Sequence, residues 1–435
     1  MSTNQFLKPI TTEEKENLTI GGCDLVELAK KYGTPLYVID ELTLRTICQE
    51  YKEAFKEYKN IKMMYASKAL CTSAIVRIMD EEGFGFDTVS AGEIYTVYKA
   101  GIDMSKVLFN GNNKTKREIE LALELKVGRF SVDNFYEAEL LNNLAKEQNI
   151  IQDILLRVAP GIECHTHDYI QTGQIDSKFG FDLSQLDEII NLIKNNYTNL
   201  RIRGLHAHIG SQIFEAQCFN DEIKILAKEI NRIKNEYNLS LDEINIGGGL
   251  GVKYTSEDSP PDVKILAEAV KNALESCSLS EITIYIEPGR SIISTSGVTL
   301  YTVGSSKQVP NGRKYIAVDG GMADNPRPSM YQAIYSAQVA NKLKYQETEK
   351  VTIAGRFCES GDILINEIEL PKLEPGDILC VFNTGAYNYS MASNYNKVEK
   401  PAMVLVNNSL SDIIISRENL DNLIACDSIP NRLRK

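Results

Sequence analysis

From residue 61 onward, short apolar runs alternate with stretches in which apolar residues recur every three or four positions. The runs at 62–66, 85–89, 106–109, 128–132, 154–158, 202–209, 243–246 and 283–286 read as buried strands, and 72–80, 91–100, 116–125, 135–146, 183–193, 221–237 and 263–274 as amphipathic helices. Eight strands in strict alternation with helices predict an α/β architecture, a parallel (β/α)8 or TIM barrel, whose reactive side chains gather where the strands end. Past about residue 291 the pattern changes. The segments 291–303, 313–318, 350–353, 377–382 and 402–407 are strand-like, with Gly, Pro and Asn between them. They predict a mostly β domain, a β-barrel or sandwich, and the strand-like piece 35–39 is expected to pair into it. The expected domains are therefore 41–288 for the barrel, and 1–40 with 289–435 for the β domain.

Composition narrows the function classes. At 435 residues the chain exceeds what one core usually fills, and 43% apolar with 24% charged residues is ordinary for a folded protein. A net charge of −12 offers no broad basic surface, so nucleic acid is not an expected partner. The first residues lack a basic segment followed by an apolar core, and no apolar run approaches about 18 residues, so a cytoplasmic protein without membrane association is expected. The nine cysteines are odd in number and form no Cys-x-x-Cys pair, which argues for reduced thiols and against a structural zinc site.

Candidate chemistry lies at the predicted strand ends. Gly247-Gly-Gly-Leu-Gly251 follows strand seven and Glu287-Pro-Gly-Arg290 closes strand eight. A run of glycines is by itself equally a tight turn. After the last two strands of an eight-fold barrel, however, it sits where such barrels bind phosphate. Lys68 stands just past strand one, where desolvation favours a neutral, nucleophilic amine suited to a Schiff base. A snorkelling surface lysine is the alternative. Asp87, Ser90 and Glu93 follow strand two, and Arg157 ends strand five. His206 and His208, two apart in the predicted strand six, share a face. His-x-His also suggests a metal pair, as does Cys164-His-Thr-His167, but four histidines in two clusters match no zinc spacing and no metal is expected. An imidazole stacked on an aromatic cofactor is the better use of one of them. A lysine for an aldehyde, a glycine cup for a phosphate and Glu287 for a protonated ring nitrogen are together what pyridoxal 5′-phosphate requires.

With those residues assembled, the sequence resembles the fold-type III pyridoxal-phosphate-dependent decarboxylases, and among them the diaminopimelate decarboxylase family. The likeness runs from about residue 20 to 405. It rests on Tyr65-Ala-Ser-Lys-Ala69, Asp87-Thr-Val-Ser-Ala-Gly-Glu93, His165-Thr-His-Asp-Tyr169 with Asp176-Ser-Lys-Phe-Gly180, and His208-Ile-Gly-Ser-Gln212. It rests also on the two glycine motifs above, Cys358-Glu-Ser-Gly-Asp362, and Gly385-Ala-Tyr387 leading to Ser393-Asn-Tyr-Asn396.

The resemblance implies decarboxylation of meso-2,6-diaminopimelate to L-lysine and carbon dioxide, the last step of lysine biosynthesis. It implies that Lys68 carries the cofactor as a Schiff base, that His208 lies against the ring and that Glu287 binds its nitrogen. Asp87 and Pro288 join the cofactor site, and Ser211, Gly247, Gly248, Gly249, Gly289, Arg290 and Tyr387 hold the phosphate. It implies further a homodimer whose active site is shared across the interface, with Cys358 and Glu359 coming from the partner and Cys358 as proton donor. The substrate's distal amino-acid group falls to Arg290, Arg327, Tyr331, Glu359 and Tyr387; an arginine fork suits its carboxylate. The segment after Tyr331, Gln332-Ala-Ile-Tyr335, departs from the family's usual wording and leaves the shape of the substrate loop open.

Other readings fit less well. Racemases of this fold usually set an arginine at the ring nitrogen, and ornithine or arginine decarboxylases an acidic residue near position 327. Non-catalytic relatives tend to lose the residues that Lys68, Glu287 and Cys358 represent.

Overall fold

The protein is described from a computed structural model over residues 16–162, 177–279 and 281–434. The chain divides into two compact units, one of residues 45–253 and 258–292, the other of residues 1–44, 254–257 and 293–435.

In the first unit eight parallel strands close on themselves. They are β1 (Ile61–Ala66), β2 (Gly85–Thr88), β3 (Val107–Phe109), β4 (Arg129–Val132), β5 (Gln152–Ala159), β6 (Leu200–His206), β7 (Glu243–Asn245) and β8 (Thr283–Ile286). Each pairs with the next, and β8 pairs back onto β1. A short parallel strand, Phe181–Asp182, extends β5. The helices start where the sequence supplies caps. The side chains of Thr72, Ser90, Thr115 and Asn134 accept from the backbone N–H three positions on, and Thr115 with Glu118 completes a capping box. Met64, Leu108, Leu155 and Tyr285 pack as one buried cluster inside the barrel. β6 ends at His206, so His208 lies two residues beyond the strand and not within it as the predicted span 202–209 implied. The fifth strand runs on to Ala159, past the expected end at 158, because Val158 and Ala159 find partners in Phe181 and Asp182.

The second unit is mostly β. Its sheet runs in the order Ile363–Pro371, Thr348–Ala354, Lys314–Val318, Gly297–Gln308, Leu36–Asp40, Ala402–Asn407, Leu410–Ile415. Gly297–Gln308 is the hub. Its first half pairs antiparallel with Leu36–Asp40 on one side and with Ile378–Val381 on the other, and its second half pairs with Lys314–Val318. Leu36–Asp40 also pairs in parallel with Ala402–Val406, so the N-terminal strand is central to this sheet, as expected. Period-2 alternation builds the core: Leu36 and Val38, Val298 and Leu300, and Val404 and Val406 fall in one buried cluster with Leu18, Ile20 and Leu25. The expected strand at 291–303 starts later, at Gly297, because Arg290–Ile293 and Ser294–Ser296 form helical turns. No described helix is long and apolar enough to cross a membrane.

Candidate active site

Strand register brings polar residues together at the C-terminal end of the barrel. His206 pairs with Arg157 on one side and Asn245 on the other, and Ala66 pairs with Asp87. Glu287 follows β8 directly and Asn110 follows β3. The Asn110 amide donates to Asp87 Oδ1 at 2.5 Å and to Glu287 Oε1 at 3.2 Å, and Asn245 Nδ2 donates to the same Glu287 oxygen at 2.7 Å. Two buried carboxylates thus share one amide. Glu287 Oε2 accepts no hydrogen bond from a described residue, and lies 3.7 Å from His206 Nε2.

Burial, and then the neighbouring Asp87 charge, push the Glu287 carboxyl up to about 8, although Lys68, Asn245 and Arg157 oppose the shift. Burial likewise raises Asp87 against the pull of Lys68, and raises Glu93 to about 7. Lys68, half-buried in the single turn Ser67–Ala69 after β1, is the cation whose field reaches all three carboxyls.

The two imidazoles are neutral because they are buried beside cations. Burial first, then Arg157, His208 and Lys68, hold His206 well below the ordinary histidine range, with its Nδ1 at 2.6 Å from Ser131 Oγ. His208 is depressed by burial, then by Lys68 and Arg157. Its Nδ1 accepts the Gly248 N–H at 3.3 Å, which assigns the ring proton to Nε2. A neutral ring keeps its flat face available for stacking.

The glycine run approaches its neighbours too closely for side chains. A Cβ on Gly248 would collide with the Glu287 carbonyl, and one on Gly289 would lie 2.9 Å from Ala66 Cβ. Gly247 and Gly249 have φ of +62° and +112°, in the left-handed region. The three amides are not equivalent. Gly247 N–H donates to Asn245 Oδ1 at 2.8 Å and Gly248 N–H to His208, whereas the N–H groups of Gly249 and Gly289 donate to no described residue. Ser211 Oγ accepts from Arg290 Nη2 at 3.0 Å, and Pro288 O accepts from Ala66 N–H, which ties the Glu287-Pro-Gly-Arg290 segment to β1. N–H groups without a described partner, beside an arginine and a serine, have the donor chemistry a phosphate needs, and Glu287 Oε2 that of a partner for a protonated ring nitrogen. The residues present fit pyridoxal 5′-phosphate.

In the β unit a second set is found. Arg327 opens the one-turn helix Arg327–Tyr331, is 8% exposed, and donates through Nη1 to the hydroxyls of Tyr254 at 3.0 Å and Tyr335 at 2.8 Å. No described carboxylate pairs with it. Tyr331 is half-buried at the end of that turn. Cys358 and Glu359 are exposed in the loop after Thr348–Ala354. Glu359 Oε1 accepts from Tyr395 OH at 2.5 Å. Tyr387 is half-buried with φ +62°, a conformation that its Gly385-Ala-Tyr387 loop imposes on a bulky residue. The histidine motif at 164–169, and Asp176, lie outside the described residues.

Comparison with known proteins decides the family. A family model for the pyridoxal-dependent decarboxylase, pyridoxal binding domain, matches residues 44–294. The chain belongs to the pyridoxal-dependent decarboxylases. This decarboxylase is 45% identical to a diaminopimelate decarboxylase of Synechocystis over 99% of its own chain and 95% of the relative's, and 44% identical to that of Bacillus subtilis over 94% and 95%. A crystal structure of diaminopimelate decarboxylase from M. jannaschii in co-complex with L-lysine is 35% identical over the whole of both chains, with a TM-score of 0.92. The enzyme is therefore a pyridoxal 5′-phosphate-dependent decarboxylase.

Sequence reasoning passed over Asn110, Asn245 and Ser131 and gave Arg157 and His206 no role. The signal was present for each of them: a polar side chain within two residues of the C-terminal end of a barrel strand.

Proposed function

We propose that this decarboxylase converts meso-2,6-diaminopimelate to L-lysine and carbon dioxide in the cytoplasm, as a homodimer that shares its active sites. The single observation that carries the substrate is Arg327: a buried guanidinium held by two phenols and by no described carboxylate, ready for a carboxylate that arrives with the ligand. The relatives named above carry the same activity in their names, and one of them was crystallised with L-lysine.

When bound, the cofactor supplies a protonated pyridine ring that takes up the electron pair left by departing carbon dioxide. The chain's own residues do the rest. Lys68 would hold the cofactor through its aldehyde. Glu287, backed by Asn245 and Asn110, would hold the ring nitrogen in its protonated form, with Asp87 nearby. Neutral His208 would stack against the ring. Ser211, the N–H groups of Gly249 and Gly289, Arg290 and Tyr387 would anchor the phosphate end, with Gly247 and Gly248, whose own N–H groups are taken by Asn245 and His208, shaping the loop around it and Pro288 fixing the turn. Arg327, Tyr331, Arg290 and Tyr387 orient the distal carboxylate, and Glu359 takes the distal ammonium. Cys358, from the partner subunit, would return a proton to Cα as the general acid.

The test is a carbon dioxide assay with meso-diaminopimelate, L-ornithine and L-lysine. Release from diaminopimelate alone is expected, and release from ornithine but not diaminopimelate would sink the substrate reading. Arg327→Met is expected to raise KM for diaminopimelate on the order of tenfold or more, the worth of one buried charge-assisted hydrogen bond; an unchanged KM would remove Arg327 from the substrate site. For the shared site, mixing inactive Lys68→Ala with inactive Cys358→Ala is expected to recover about a quarter of wild-type activity. Half of the randomly paired dimers are hybrids, and each hybrid has one intact site. No recovery after confirmed subunit exchange would place Cys358 in the same subunit's site or outside it.

A further inference from the structure

Eight residues connect Thr348–Ala354 to Ile363–Pro371, and they include Cys358 and Glu359. Their shape is set by the last of them. Asp362 is 3% exposed, and its two carboxylate oxygens serve two different loops. Oδ2 accepts the Phe357 N–H at 2.8 Å, one residue before Cys358, and Oδ1 accepts the Met322 N–H at 2.7 Å, in the segment that leads into Arg327. The backbone carbonyl of Asp362 accepts from Gly355 at 2.9 Å, its N–H donates to Glu359 O at 3.2 Å, and Arg356 N–H reaches Gly320 O at 3.0 Å. A Cβ on Gly321 or on Gly355 would collide with the Asp362 carboxylate, so both loops are glycine where they pass it. On the far side of the loop, Cys358 N–H donates to Asn396 Oδ1 at 3.0 Å.

We propose that Asp362 is a positioning residue for the reaction, a single carboxylate that fixes the Cys358-Glu359 loop against the segment carrying Arg327. The inference rests on the reading of Cys358 as proton donor and of Arg327 as substrate anchor. Both oxygens must accept. An amide of the same shape offers one acceptor and turns N–H groups against a backbone N–H, so Asp362→Asn keeps the volume and loses the clamp. Burial raises the Asp362 carboxyl while the Phe357 and Met322 N–H groups pull it back, consistent with an acceptor held inside the fold.

The experiment is a double-mutant cycle on the holoenzyme with diaminopimelate. Asp362→Asn is expected to lower kcat on the order of tenfold or more, and adding it to Cys358→Ala is expected to cost nothing further, because a misplaced thiol and an absent one fail at the same step. Asp377→Asn is the control. This buried aspartate also caps a turn, accepting from Asn341 Nδ2 and Glu374 N–H, and its loss is expected to lower Tm while leaving kcat unchanged. Asp362→Ser, which keeps one acceptor, runs in parallel in case the asparagine variant does not fold. Losses that multiply in the double variant would overturn the proposal. If Cys358→Ala itself keeps full kcat, the proton-donor reading falls and positioning is judged separately. The rate of Cys358 alkylation by iodoacetamide, mapped by mass spectrometry, is then expected to change in the Asp362 variants, and an unchanged rate overturns the inference.

Discussion

Lys68→Ala is expected to lower carbon dioxide release on the order of 10⁴-fold or more, and to abolish the visible absorbance band that the protein acquires with its cofactor. No other described lysine is placed to substitute. Lys114 is the other lysine whose field reaches Asp87, but its ammonium is committed to Gly111 O at 2.8 Å and, in buried contacts, to Glu137 Oε1 and Ser131 O, both at 2.7 Å. Its pairing with Glu137 is the kind whose disruption leaves an uncompensated charge, so Lys114 stays where it is. The measurement is a spectrum of the variant with added cofactor, beside a turnover assay. A band of normal position and intensity would mean that a different amine holds the cofactor.

The second large effect belongs to Glu287→Gln. Replacing the ring nitrogen's anionic partner by a neutral amide is expected to reduce kcat on the order of 10² to 10³-fold, the usual cost of one preorganised electrostatic partner. A stability signature accompanies it, with a sign that can be worked out. In the cofactor-free protein Glu287 titrates at about 8, above its ordinary value of 4.5. The folded state therefore holds that proton more tightly than the unfolded state does. The stability this contributes is complete below pH 4.5 and is lost as the pH rises through about 8. Cofactor-free wild type should thus lose Tm across that window relative to Glu287→Gln, and saturating cofactor should close the gap, because a positive ring nitrogen draws the carboxyl back down. Parallel melting curves at pH 5, 7 and 9, with and without cofactor, check this. A gap that does not depend on pH would mean that Glu287 is already ionised without its ligand.

The eight barrel strands and the second β unit were legible because each strand is a short apolar run bounded by turn residues, and buried strands differ little in that respect. The glycine run was legible too, but its use was not. Which of its amides remain available depends on Asn245 and His208, and nothing about an asparagine in a row of polar residues announces that its amide will back a glutamate some 40 positions away in the chain. His208 was read as a strand residue because Ile209 continues the apolar pattern. The ladder stops at His206, where Asn245 ends its partner strand, and periodicity does not register the length of a neighbour. Asp362 was visible as the last letter of a motif. That its two oxygens serve two loops is a fact of tertiary structure, set by Gly321 and Gly355 leaving room on either side.

The place of Leu36–Asp40 in the middle of its sheet has a bearing on how the protein is made. A ribosome delivers this strand early, yet its neighbours are Gly297–Leu300 on one side and Ala402–Val406 on the other. The whole of the barrel is synthesised in between. Domains fold largely as units as they emerge, and long-range strand pairing is slow, so the barrel is complete while the first strand still waits for both partners. Emergence of Ala402–Val406, and not that of the first strand, is then the event that closes the β unit. A nascent chain halted before residue 402 should carry a formed barrel and an N-terminal strand open to proteases.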